Sequence, residues 1–347
     1  MARAGAQSGA QAGARVSDGA VPMLEVWRGG LLECVHQGHA VICDAKGIVA
    51  SWGNPNAVIF PRSSAKMIQA LPLLETGAAA AHGLTDRQLA LACASHEGAD
   101  LHVSMAARWI ADLGLSEADL RCGAHEPSNR DERDRLIRAG EAPCQLHNNC
   151  SGKHSGFLTV TRHLKAGPEY VEIDHPLQQA VRAATEETTG EMVAGWGVDG
   201  CAAPNFAMSV AGLARSMAAF ATAREGHGAR EDAMHRLTRA MATHPELVSG
   251  EGRACTELMR AMGGRVALKG GAEAVYVGIV PEKGLGIALK VVDGGERGSQ
   301  AAIAALLSRI GVLDPAHPEA VKRMAGIQRN WRGLETGFLR LAPGFPG

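Results

Sequence analysis

The sequence predicts a mixed α/β (α+β) fold in which both ends of the chain supply one antiparallel sheet and a helical lobe is inserted between them. Three observations predict it. Short β-rich runs separated by glycine-containing turns occupy 23–53, a second pair occupies 274–292, and helical spacing dominates from about 63 to 263. Links of two to four residues cannot make a parallel crossover, so the strands at each end pair antiparallel. The cleft between sheet and lobe is where a site is expected.

Taken in order, Leu24–Arg28, Leu31–His36, Ala40–Asp44 and Ile48–Gly53 read as a four-stranded meander. Its turns are Gly29-Gly30, Gln37-Gly38-His39 and Ala45-Lys46-Gly47. Thr85-Asp86-Arg87-Gln88 ahead of Leu89 and Leu91 is a capping-box signature that opens a helix. Val103–Leu113 has helical spacing and stops at Gly114, and 176–189, 208–223 and 230–243 read as further helices. Ala274–Val280 and Gly286–Val292 flank Pro281-Glu282-Lys283-Gly284 as a hairpin. A helix from Gly298 to Ile310 then covers the sheet, and no internal repeat is present. The expected organisation is a tail at 1–20 and a single domain at 21–347. Within that domain 21–60 and 265–347 form the sheet lobe, and 61–264 the helical lobe.

Composition narrows the function. Thirty-five basic against 36 acidic residues give a net charge of −1. No positive excess exists to neutralise phosphates, so neither nucleic acid nor an anionic lipid surface is an expected partner. No apolar run approaches the roughly 18 residues needed to span a bilayer. The N-terminal 20 residues lack the apolar core of a secretory signal. The expectation is a cytoplasmic protein with reduced thiols, its eight cysteines serving as small core residues or metal ligands.

Four clusters carry chemistry. Ser63 and Lys66 are three apart at the junction of sheet and lobe, one turn from each other on a helix. A lysine amine kept neutral can take the proton of a serine hydroxyl and so make it a nucleophile. Sixteen serines and eight lysines in 347 residues give about 0.4 chance matches to this spacing. Position and companions therefore matter more than the match. Ala94-Ser95-His96-Glu97-Gly98, between two helices, offers a second hydroxyl, or else Ser95 merely caps the next helix. Lys269-Gly270-Gly271 at a strand start can lie against a ligand, because glycine permits close backbone approach; it can equally be an edge-strand lysine. In His147-Asn148-Asn149-Cys150-Ser151-Gly152-Lys153-His154, Cys150, Lys153 and His154 share one helical face, and Val198-Asp199-Gly200-Cys201 adds a carboxylate and a second thiol. These residues suit Zn²⁺ or ordinary buried cysteines, and the amides of Asn148 and Asn149 suit a polar substrate.

Phe60–Lys66, Ala94–Glu97, His147–His154, Val198–Cys201 and Lys269–Glu273, in this order, resemble the Rhizobium etli-type inducible (class 3) L-asparaginase family over about 23–307. The resemblance implies a serine β-lactamase/glutaminase-like fold, a homodimer, and hydrolysis of L-asparagine to L-aspartate and ammonia. It implies Ser63 as nucleophile with Lys66 as base, and Ser95 with Lys269 as a second pair. It further implies zinc held by Cys150, Lys153 and Cys201 with Asp199 close by, and substrate contacts from Arg62, His154, Asn148, Asn149 and Glu97. The alternatives are another serine–lysine amidohydrolase, acting on glutamine or a β-lactam, and a non-catalytic zinc-stabilised binding module.

Overall fold

A computed structural model describes residues 15–347. Its main sheet runs β1 (Val21–Arg28), β2 (Leu31–Asp44), β3 (Gly47–Trp52), then, far along the chain, β7 (Ala267–Gly271), β8 (Val275–Val280), β9 (Leu285–Val291), β10 (Ile327–Arg329) and β11 (Glu335–Leu341). The spatial order is β10-β11-β1-β2-β9-β8-β7, with β3 paired to β2, and every pair is antiparallel. Both ends of the chain therefore build one sheet, joined where β2 meets β9 and where β1 meets β11.

The meander differs from expectation at one point. Gln37-Gly38-His39 is no turn; β2 runs unbroken for 14 residues. Gly38 is there because a Cβ would sit 2.2 Å from the Lys290 carbonyl oxygen, so only glycine lets β2 and β9 approach this closely. The first half of β2 pairs with β1 and the second half with β3 and β9.

The insert is mostly helical, as the periodicity predicts, but it also holds a small sheet. Strands β4 (Val58–Ile59), β5 (Gly195–Val198) and β6 (Pro204–Ser209) pair in the order β4-β6-β5. The helix read from 208 begins at Val210, because residues up to Ser209 extend as β6 and the Ser209 hydroxyl caps by accepting from Gly212 N at 2.8 Å. The Thr85 capping box forms as its sequence predicts: Thr85 Oγ1 accepts from Gln88 N and Gln88 Oε1 accepts from Thr85 N. Residues 15–20, assigned to the tail, instead form a turn. The Val16 carbonyl lies 2.6 Å from His39 Nε2, and the Asp18 amide bonds to Arg15 O. Residues 1–14 of the tail lie outside the described residues.

Two helices cover the sheet. Gly286 on β9 faces helix Val210–Thr222, whereas Gly278 on β8 faces Ile303 of helix Glu296–Arg309. Since Ile279 pairs with Gly286 and Gly278 with Ile287, these neighbouring register positions point to opposite faces, and each helix takes one. Lys269 pairs with Val277, two residues from Ile279, so it stands on the face turned to the insert. No helix among the described residues is long and apolar enough to cross a membrane.

A Cβ on Gly286 would lie 2.1 Å from Ala218 N and 2.4 Å from Ala214 O, both backbone atoms that cannot swing aside. Gly286→Ala is expected to lower unfolding free energy by about 2–3 kcal/mol through overpacking, read as a shifted urea midpoint.

Candidate active site

A cavity of about 320 Å³ lies between β7 and the insert, lined among others by Ser63, Ser95, Glu97, Asn149, Arg253 and Lys269. Four segments converge on it. Ser63 belongs to a 3₁₀ turn, Arg62–Ala65, that leads directly into the short helix Lys66–Gln69. The turn is tight: Arg62 sits at φ +53°, an uncommon conformation for a residue with a side chain, and it places Ser63 at the apex. Its guanidinium is anchored on Asp199, Nε and Nη2 both reaching Oδ1 at 3.0 and 2.9 Å.

Ser95 occupies the loop between helices Asp86–Ala92 and Asp100–Asp112. The latter helix is entered through Ala99 with no side-chain cap, so Ser95 is not a capping residue. Its hydroxyl is instead shared by two buried amines: Lys66 Nζ at 3.0 Å and Lys269 Nζ at 2.9 Å. Lys66 also donates to the carbonyls of Ala94 and, at 3.4 Å, Asn149, and Lys269 donates to Gly270 O at 2.6 Å. The side chains are 1 % and 2 % exposed, so carbonyls replace the lost hydration. Burial first, and then the neighbouring Lys66 charge, lower the Lys269 amine to about 8, against a partial opposing pull from Cys255. The Ser63 hydroxyl makes no hydrogen bond among the described residues and opens on the cavity. Gly271 of β7 lies against this turn: a Cβ there would be 2.9 Å from Ser64 N and 3.2 Å from Ser63 N.

Behind the cavity, Cys150 precedes helix Ser151–His163, and Lys153 on its first turn donates to Cys201 Sγ at 3.0 Å. Contact with the Cys150 thiol, then the Lys153 charge and His154, hold Cys201 far below the usual thiol range despite burial. Hydrogen bonding to Cys201 and burial raise Cys150 in turn. Burial alone would lower Lys153, but the Cys201 and Cys150 sulfurs outweigh it and raise the amine. His154 is fully buried, lowered to about 4 by burial; Nδ1 meets the Tyr170 hydroxyl at 2.9 Å and Nε2 has no partner.

Among the described residues no group of three or more His, Cys, Asp or Glu is arranged to hold a metal. The donors that do converge are two thiols and one amine, with an unsatisfied imidazole nitrogen beside them. Soft sulfur donors of this kind fit Zn²⁺ once the Lys153 proton leaves. Asp199 spends its Oδ1 on Arg62 and on Gly200 N at 2.7 Å, while its Oδ2 has no hydrogen-bond partner among the described residues.

Three expected substrate contacts are placed elsewhere. Asn148 spends its amide on the carbonyls of Cys122 and Gly123 and accepts from Cys150 N, all at 2.9 Å, so it braces the loop. His154 is enclosed beside Tyr170, and Arg62 points to Asp199; neither lines the cavity. Asn149 and Glu97 do line it. Sequence reading missed Arg253, Cys255 and Ser249, whose only local signal is the glycine-rich Ser249-Gly250-Glu251-Gly252 loop. Burial pushes the thiols of Cys93 and Cys122 up to about 12, in keeping with core positions.

The model of the L-asparaginase II family matches residues 24–341. No curated protein matches the chain. Solved structures with a similar backbone include Mglu in its glutamate form, at 15 % identity and TM-score 0.45 over 80 % of this chain. They also include a β-lactamase from Mycobacterium bovis, at 13 % identity and TM-score 0.43 over 78 % of this chain and 94 % of that one. The chain spans 61 % of the Mglu chain's length. The chain belongs to the L-asparaginase II family, a family of amidohydrolases.

One consequence concerns pH. The folded protein disfavours the charged Lys269, whose amine falls from 10.5 to about 8, while the unfolded chain does not. Below pH 8 both states bind the proton and the folded state carries the full cost; above 10.5 neither does. Stability attributable to Lys269 therefore rises between pH 8 and 10.5, by on the order of 3 kcal/mol. Urea midpoints of the wild type should climb over this window relative to those of Lys269→Met.

Proposed function

We propose that the chain is an L-asparaginase of the Rhizobium etli type, hydrolysing L-asparagine to L-aspartate and ammonia through an acyl-enzyme on Ser63. The observation that carries this reading is the Ser95 hydroxyl held between two buried lysine amines, in a cavity that Ser63 also lines. Ser63 Oγ attacks the side-chain amide carbon while Lys66 accepts the hydroxyl proton. The proton passes through Ser95 to the leaving nitrogen as the C–N bond breaks, releasing ammonia. Water then attacks the ester, regenerating Ser63 and freeing aspartate. Lys269 keeps positive charge on the relay at neutral pH, and the Lys66 ammonium restores the Ser95 proton. A backbone N–H of the turn at Ser63 would stabilise the developing oxyanion, a contribution of a few kcal/mol in comparable sites.

Cys150, Cys201 and Lys153 would hold zinc, with Asp199 close by. When bound, the metal supplies a fixed positive charge that cross-links helix Ser151–His163 to the loop after β5. Arg62 then transmits that position to Ser63 through Asp199. The working form is proposed to be a cytoplasmic homodimer whose substrate is a small molecule.

Ser63→Ala is expected to abolish ammonia release from L-asparagine, measured by a coupled assay, by at least about 1,000-fold; near-normal turnover would refute the nucleophile. In wild-type enzyme kcat should fall as pH rises through about 8, where Lys269 loses its proton, and a profile flat to pH 9.5 contradicts its charged role. Purified protein should contain stoichiometric zinc by elemental analysis, and Cys150→Ala should lose it. A metal-free wild type would remove zinc from the site.

A further inference from the structure

Two side chains of opposite charge line the cavity without an ion-pair partner among the described residues, Glu97 buried and Arg253 at the water-exposed side. Glu97 is only 8 % exposed, yet its carboxylate accepts a single backbone bond, from Glu251 N at 3.3 Å, and meets no cation within ion-pair distance among the described residues. An ionised carboxylate held this far from water without a cation is costly unless a ligand supplies one. The position is built for it: Gly250, at φ +115°, leaves room where a Cβ would strike Glu97 Cδ at 2.5 Å. The other acids on the cavity wall differ. Glu257 is paired with Lys322 and Arg323, and Glu296 is exposed to water.

Arg253 is the complement. Exposed to water, it lines the same cavity and makes no ion pair among the described residues; the neighbouring Glu251 is spent on Arg260 at 2.6 and 2.7 Å. The segment that carries it is fastened to the Ser95 loop twice, through Ser95 N to Val248 O at 2.9 Å and through Glu251 N to Glu97. Both charges therefore belong to one wall, beside the reactive hydroxyls.

We propose that Glu97 and Arg253 form the subsite for the zwitterionic head of a free α-amino acid, Glu97 taking the α-ammonium and Arg253 the α-carboxylate. This rests on the amidohydrolase reading for its substrate class, and it deepens that reading: amides whose α-amine is acylated or peptide-linked are excluded. A charge-assisted contact is worth roughly a 10- to 100-fold change in affinity.

Calorimetric titration tests the subsite without turnover. Wild-type protein should bind L-aspartate at least about 10-fold more tightly than N-acetyl-L-aspartate, and Glu97→Gln should erase that preference by weakening L-aspartate alone. Arg253→Gln should likewise erase the preference for L-aspartate over its α-amide. Preferences unchanged in both variants would overturn the subsite, whether or not the wild type releases ammonia. If the preferences respond but asparagine yields no ammonia, the hydrolase reading fails and the subsite stands. Should Glu97→Gln melt far below wild type, Glu97→Asp replaces it. That variant keeps the charge but retracts it, and should weaken L-aspartate while leaving N-acetyl-L-aspartate unaffected; equal weakening of both overturns the proposal.

Discussion

One oxygen shared by two buried amines sets the terms for the rest of the molecule. Placing Lys66 and Lys269 within hydrogen-bond reach of Ser95 brings like charges together in a medium that screens them poorly. The arrangement persists because main-chain carbonyls of Ala94, Asn149 and Gly270 face the amines. It also persists because each amine is carried by a separate rigid element. Lys66 starts a helix packed in the insert, and Lys269 sits mid-strand on β7, so neither can retreat to water without breaking its element. Burial, with the Lys66 charge adding to it, thereby shows as a lowered Lys269 proton affinity rather than a displaced side chain.

A second constraint runs through the backbone beside Ser63. Arg62 is held in a left-handed conformation by its ion pair to Asp199, in the same loop as Cys201. The thiol cluster and the reactive turn are thus mechanically linked, although Asp199 itself is occupied by arginine.

Much of this was legible in the sequence. The strands at both ends and the Thr85 cap follow from local patterns, whereas the approach of Lys66 and Lys269 to Ser95 is an expectation that only the family resemblance supplied. What escaped was set by tertiary contact. Gly38 carries the same letter whether it bends a chain or lets two strands approach, and only its neighbour Lys290 decides. Met208 and Ser209 read as the start of a helix, and instead end strand Pro204–Ser209 because β4 and β5 flank it. Asn148 looked like a ligand contact; the carbonyls of Cys122 and Gly123 that consume its amide lie some 25 residues away. Arg253 had no motif to announce it.

The joining of β1 to β11 and of β2 to β9 also has a bearing on biosynthesis. The first strands leave the ribosome more than two hundred residues before β9 exists to pair with them, so their edges must wait unpaired. Closing so long a loop is entropically slow, and the nascent intermediate is the species most exposed to aggregation. Because Lys269 arrives on one of those late strands, the cluster of amines around Ser95 is assembled only near the end of translation.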